Sequence, residues 1–260
     1  MEVVIQRDAD AVADLVADAI ERLVTSYPSA VLGLATGSSP LGVYSELVRR
    51  HRAGTLSFRR VAAFLLDEYI GLAAGHEASY REFIERHFSG LVDIEPENVH
   101  VPDGAAADVE TACARYERKI HGAGGVDLQL LGIGADGHLG FNEPTSSLAS
   151  RTRVKTLTAQ TRSDNARFFH SIDDVPHHVV TQGIGTILEA RHLVLIGIGN
   201  SKAESIARAV EGPVTSICPG SAIQLHPHTT VVIDEAAASR LTLADYYRDT
   251  FAGKPTWQAI

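Results

Sequence analysis

Residues 130–144 read LLGIGADGHLGFNEP, and the fold is decided there. The apolar run over 126–133 predicts a buried strand, which then breaks into a loop through Gly132, Gly134, Gly137 and Gly140. In open α/β sheets, ligands bind beyond the carboxyl ends of the strands. A glycine-rich loop at such an end lets backbone come close to a ligand. Three ionisable side chains sit in this one: Asp136, His138 and Glu143. Asp136 and His138 are two apart, so an extended loop turns both to one side. If the glycines fold the loop back, Glu143 comes within reach as well. A histidine between two carboxylates has its tautomer and charge set by them, as a proton-transfer group requires. An Asp-Gly pair alone reads as an ordinary turn. Four glycines, two carboxylates and Pro144 directly after a strand favour a site.

Outward from this loop, strands and helices alternate. A β-branched run at 3–5 predicts a first strand, and Asp8 caps a helix to about Leu23. Residues 30–35 read as a buried strand ending in Thr36-Gly37-Ser38-Ser39-Pro40, with a helix through Arg50. Small hydroxyl residues and a glycine at such a turn leave N–H groups free for an anion; ordinary helix capping is the alternative. Residues 61–66 form a third apolar run and deliver Asp67, Glu68 and Tyr69 to its end. Burial there raises a carboxyl's pKa and makes Asp67 a better base near neutral pH; a cap or salt bridge is the alternative. Glu68 alternates to the other side and is given no catalytic role. Ser79 caps a helix through about Phe88, and a further helix is expected over about 106–121.

Residues 146–178 are irregular and basic, with Arg151, Arg153, Lys155, Arg162 and Arg167. Such a stretch inside a compact domain reads as a lid or binding loop, placed here at about 156–177. A helix is expected over about 178–189, then a strand over 193–198. Gly199-Asn200-Ser201-Lys202 opens the next helix, where the lysine charge adds to exposed N–H groups; a solvated surface lysine is the alternative. A last core strand covers 229–233. This alternation predicts an α/β fold: one doubly wound, mostly parallel, Rossmann-like sheet with helices on both faces and a lid, spanning 1–260 as a single domain. No GxGxxG opens a helix after the first strand, so no dinucleotide site is expected. His226 and His228 read as structural histidines in a turn rather than a ligand pair.

Bulk properties narrow the function. A chain of 260 residues, 45% hydrophobic and 21% charged, has the make-up of a globular protein with a sizeable core. Its net charge of −9 argues against a general nucleic-acid or membrane surface, though not against an anionic substrate. Cys113 and Cys218 are too few for a disulfide framework or zinc site. No apolar run reaches the roughly 18 residues of a membrane span, and the N-terminus lacks a signal-peptide layout. A cytoplasmic protein is expected.

The motif GIGADGHLGFNEP resembles the signature of the glucosamine-6-phosphate deaminase family, also called glucosamine-6-phosphate isomerases. Other matching stretches follow in family order: LGLATGSSPLGVY, FLLDEYIGL, SYREF, SSLASRTRVKTLT, RFF, GIGTIL, GNSKA and QLHPH. The resemblance implies conversion of glucosamine 6-phosphate and water to fructose 6-phosphate and ammonium, with no metal or other cofactor. It gives His138 ring opening, with Asp136 and Glu143 orienting it, and gives Asp67 the proton transfer from C2 to C1. Thr36, Gly37, Ser38, Ser39, Arg167 and Lys202 would bind the substrate and its phosphate. The stretch 146–155 resembles the activator-binding segment of regulated members. Met1, Ser146, Arg153 and Lys155 would there hold N-acetylglucosamine 6-phosphate, although Glu2 stands where such members often carry arginine. A homo-oligomer, up to a hexamer, is expected, since the family includes both monomers and hexamers. Two alternatives share the fold. A 6-phosphogluconolactonase would carry DER in place of DEY and lack FNEP. A sugar-phosphate sensor would not need Asp67, Asp136, His138 and Glu143 together, and would carry a helix-turn-helix for which no N-terminal segment is left.

Overall fold

The computed structural model describes every residue except Thr256. Among the described residues, ten strands and eight α-helices follow one another as β1 (Glu2–Gln6), α1 (Ala9–Ser26), β2 (Val31–Leu34), α2 (Leu41–Arg52), β3 (Ala62–Leu65), β4 (Asp67–Tyr69), α3 (Tyr80–His87), β5 (Val99–His100), α4 (Val109–Gly122), β6 (Leu128–Gly132), β7 (Arg153–Thr156), α5 (Ala159–Asn165), β8 (His178–Thr181), α6 (Ile184–Ile187), β9 (His192–Gly197), α7 (Ala203–Val210), β10 (Thr229–Asp234) and α8 (Ala244–Ala252).

Seven strands form one sheet in the order β1-β10-β9-β6-β2-β3-β5, every neighbouring pair parallel. Strands β2, β9 and β10 are buried along their whole length. That is the pattern of a sheet covered on both faces, and it explains why they read as unbroken apolar runs. The amphipathic stripe of α1 buries Val12, Val16, Ile20 and Val24, and Asp8 accepts a 2.8 Å bond from the Ala11 amide to start the helix. From β2 the chain steps outward through β3 to β5. It then returns to place β6 on the other side of β2 and runs outward through β9 and β10. The order therefore reverses between β2 and β6, a switch point of the kind that opens a crevice above the carboxyl ends of strands.

Three sequence expectations are corrected. The helix expected over 178–189 is instead the strand β8, followed by the single-turn α6. His178-Val179-Val180-Thr181 is a β-branched run, and Gly183 lies so close to Ser150 that a Cβ would sit 2.1 Å from its carbonyl oxygen. The region expected to be irregular holds β7 and α5, and a second sheet, β4-β8-β7, pairs antiparallel. It begins where the chain leaves β3, at Leu66, so the DEY residues belong to this sheet rather than to the tip of a parallel strand. The helix expected from about Ala106 starts at Val109, because Asp108 caps it by accepting from the Thr111 amide at 3.0 Å.

Candidate active site

The loops after β9, β6, β2 and β3, four adjacent strands, converge on one cleft of about 360 Å³. From β2 comes the turn Thr36-Gly37-Ser38-Ser39; from β6 come Gly134 and His138; from β9 comes Lys202; just beyond β3 comes Asp67. Residues of α5 and the turn after it, including Thr161 and Arg167, complete the wall. Eight of the ten residues assigned above to catalysis or substrate binding, drawn from distant parts of the chain, line this one cleft. Asp136 and Glu143 are not among its lining residues.

The Asp136-Gly137-His138 turn folds tightly. The Asp136 carboxylate accepts from the His138 amide at 3.1 Å, and its Oδ1 lies 2.6 Å from the His138 Nδ1 without the alignment of a hydrogen bond. Burial pushes the Asp136 carboxyl up, but the imidazole beside it outweighs this and holds it below the usual range. Gly134 lies flat under the imidazole: a Cβ there would sit 2.2 Å from the His138 Cε1, so only glycine allows this stacking. Glu143 is buried, and its hydrogen bonds go to the α5 segment rather than to the histidine. Its Oε1 accepts from the Thr161 hydroxyl and, at 3.4 Å, from the Thr158 hydroxyl. Sequence reasoning placed carboxylates on both sides of His138; the structure brings one of them to its ring.

Asp67 is buried, and its carboxyl is pushed up to about 8, chiefly by burial and further by neighbouring Glu68. Glu68 faces the other way. It accepts from the Ser79 hydroxyl at 2.7 Å and from the amides of Tyr69, Tyr80 and Arg81 at 2.8, 3.1 and 3.0 Å. Ser79 was expected to cap α3 through its own side chain. It instead donates to Glu68, which supplies the cap. Helix α2 begins with no capping side chain, its first amides next to the Thr36 turn, which lines the same cleft. Lys202 is half-buried there; burial lowers its pKa, and the nearby Arg167 lowers it further against the pull of Asp136.

A family model described as glucosamine-6-phosphate isomerases/6-phosphogluconolactonase matches residues 6–233. A glucosamine-6-phosphate deaminase of Arthrobacter sp. (strain FB24) is 62% identical over 260 residues, with all of both chains covered. That of Mycolicibacterium smegmatis is 59% identical over 261, again with full coverage. The chain belongs to the glucosamine-6-phosphate deaminase family. A solved monomeric glucosamine-6-phosphate deaminase, 42% identical, superposes with a TM-score of 0.90 over 92% of this chain and 100% of that one. A Trypanosoma cruzi 6-phosphogluconolactonase, 19% identical, reaches 0.74 over 93% and 97%, and shares the fold.

The residues that the deaminase resemblance assigned to an activator fall outside the cleft. Arg153 and Lys155 alternate on the same side of β7, both partly buried, flanked by exposed Val154. The Arg153 guanidinium donates to the Asn142 side-chain oxygen at 2.8 Å, two residues after Gly140. The Ser146 hydroxyl is buried without a hydrogen-bond partner. Met1 stands at the head of β1, on the sheet edge paired with β10. Sequence reasoning missed Asn142, Tyr80 and Thr161. Asn142 anchors the catalytic loop to the carbonyls of Leu139 and Gln182 at 2.9 and 2.8 Å. Its place in FNEP was the one available signal. Tyr80 lines the cleft beside Asp67. His226 is held by carbonyls, its ring nitrogens 2.8 Å from His228 O and 2.7 Å from Ala190 O, in keeping with a structural role. Among the described residues no helix is long and apolar enough to cross a membrane.

Proposed function

We propose that this chain converts glucosamine 6-phosphate and water to fructose 6-phosphate and ammonium. The observation that carries this reading is the set of side chains that meet in the cleft. Its walls bring together two cations, Lys202 and Arg167, an uncapped helix start, a histidine and a buried carboxyl with a pKa near 8. Lys202, Arg167 and the Thr36–Ser39 turn take the phosphate, whose charge relieves the repulsion between the two cations. His138, paired with Asp136, passes a proton to the ring oxygen and opens the pyranose. Glu143, oriented by Thr161, sits behind the loop and supports its charge. Asp67 removes the C2 proton to give the enolamine and returns it to C1, leaving an imine at C2. Water adds to that carbon and ammonia departs. The chain's own groups suffice for each of these proton movements, so the reaction runs without added metal.

The activator reading rests on a separate observation: a buried hydroxyl without a partner, Ser146, near a strand that turns Arg153 and Lys155 to one side. A second sugar phosphate, N-acetylglucosamine 6-phosphate, fits that chemistry. Completion by Met1 of a neighbouring copy would make the site a property of a homo-oligomer such as a hexamer. Two free, buried cysteines fit a cytoplasmic setting.

The test is direct. Chelator-treated protein given glucosamine 6-phosphate is expected to release ammonium and form fructose 6-phosphate in equal amounts. Hydrolysis of 6-phosphogluconolactone in its place would support the lactonase reading, and phosphate-ester binding without turnover would support the sensor.

A further inference from the structure

We infer that Glu68 is a positioning residue for Asp67, holding the neighbouring carboxyl toward the cleft and keeping a fixed negative charge behind it. This rests on the reading of Asp67 as the C2 base. Strand alternation puts the two side chains on opposite faces of β4, and only Asp67 reaches the cleft. Glu68 is 7% exposed, yet every hydrogen bond it makes is one it accepts: one hydroxyl and three backbone amides around the start of α3. Four donors converging on one carboxyl match its ionised form, and the helix start favours negative charge. The same bonds clamp α3 to β4. Tyr80, the first residue of α3, is thereby fixed over the cleft beside Asp67, with its hydroxyl 3.3 Å from that of Tyr69.

A merely structural cap could come from any acceptor that reaches the first amides of α3. This one stands next in sequence to the base. Among the other groups near Asp67, Tyr69 and Tyr80 are phenols pushed up by burial, and His138, Arg167 and Lys202 carry no negative charge; Asp164 of α5 also lines the cleft, but Glu68 is the charge that adds to burial in raising Asp67. With Glu68 ionised, Asp67 binds its proton more tightly and is the stronger base once it ionises.

The experiment is the pH profile of kcat/KM for wild type, Glu68→Gln, Glu68→Asp and Ser79→Ala. Glu68→Gln keeps the shape and removes the charge. Its acid limb is expected to move down by about one pH unit, with kcat falling roughly threefold and KM nearly unchanged. Glu68→Asp and Ser79→Ala keep the charge, so their limbs are expected to stay in place even where the Tm falls. An unmoved limb in a folded Glu68→Gln, or equal displacement in all three variants, overturns the inference. If Glu68→Gln does not fold, infrared difference spectra of the wild type decide. The carboxylic-acid band that grows across the acid limb must vanish in Asp67→Asn; its survival there would make Glu68 the titrating group and overturn the inference. Full C2 proton exchange in Asp67→Asn would instead remove the base assignment itself, a distinct outcome.

Discussion

At the scale of single residues, Asp67 carries the sharpest conflict between stability and chemistry. Its carboxyl is raised from the ordinary value of 3.8 to about 8, so the folded state holds the proton more tightly than the unfolded chain does. The stability this gives is present in full below about pH 4 and is lost as pH rises through about 8. Asp67→Asn keeps the shape and removes the ionisation. It is expected to raise stability on the order of a few kcal/mol at pH 8.5, with the gain fading toward pH 4. Thermal unfolding across that range measures it. The same variant is expected to slow C2 proton exchange by about 10²–10⁴-fold. One substitution therefore gives a more stable, inactive protein, and a flat stability difference across pH would contradict the burial argument.

At the scale of elements, α5 and β7 carry the connections that join the cleft to its surroundings. Thr161 of α5 donates to Glu143, so Thr161→Val removes a bond while keeping volume. Loss of a hydrogen bond to a charged group costs about 1.5–3 kcal/mol, so kcat/KM is expected to fall at least tenfold in steady-state assays. Lys155 lies on β7 beside Arg153 and was proposed to bind the activator. Substrate saturation is expected to be sigmoidal alone and hyperbolic with N-acetylglucosamine 6-phosphate, and Lys155→Ala is expected to raise the activator concentration required about tenfold. Much of this scale was legible in the sequence. Strands β2, β6 and β9 announced themselves as largely apolar runs ending in glycine or hydroxyl turns, because a strand buried on both faces takes few polar residues; Gln129 in β6 is buried and donates to the Leu130 carbonyl. β8 was misread because it is four residues long and sits between loops, with too little length for a period to show. The Thr161–Glu143 bond was not legible at all: it joins residues 18 apart across two loops, and no local pattern records such a meeting. Glu68 was read correctly as turned away from Asp67, but its partners lie on another helix and left no mark beside it.

At the scale of the whole molecule, an acidic chain takes an anionic substrate. The net charge of −9 gives no general attraction for a sugar phosphate, so affinity depends on the few cations gathered at the cleft. Fructose 6-phosphate at a hundred times its Kd is expected to stabilise the protein by about 2.7 kcal/mol, seen as a rise in Tm. Lys202→Met is expected to remove most of that rise at the same concentration, and an undiminished rise would place the phosphate elsewhere.

The parallel pairing of β1 with β10, Glu2 opposite Thr230, also has a consequence for how the molecule is made. Strand β1 leaves the ribosome long before its partner β10. Until β10 is made, Val3 and Val4, buried in the finished sheet, have no strand to lie against. The centre of the sheet, from β2 to β6, can assemble while translation continues, but the β1 edge closes only at the end. Its closure joins segments far apart in sequence, Glu2 to Thr230, the kind of contact that forms slowly. Until that closure, the waiting valines are apolar surface open to association with other unfolded chains.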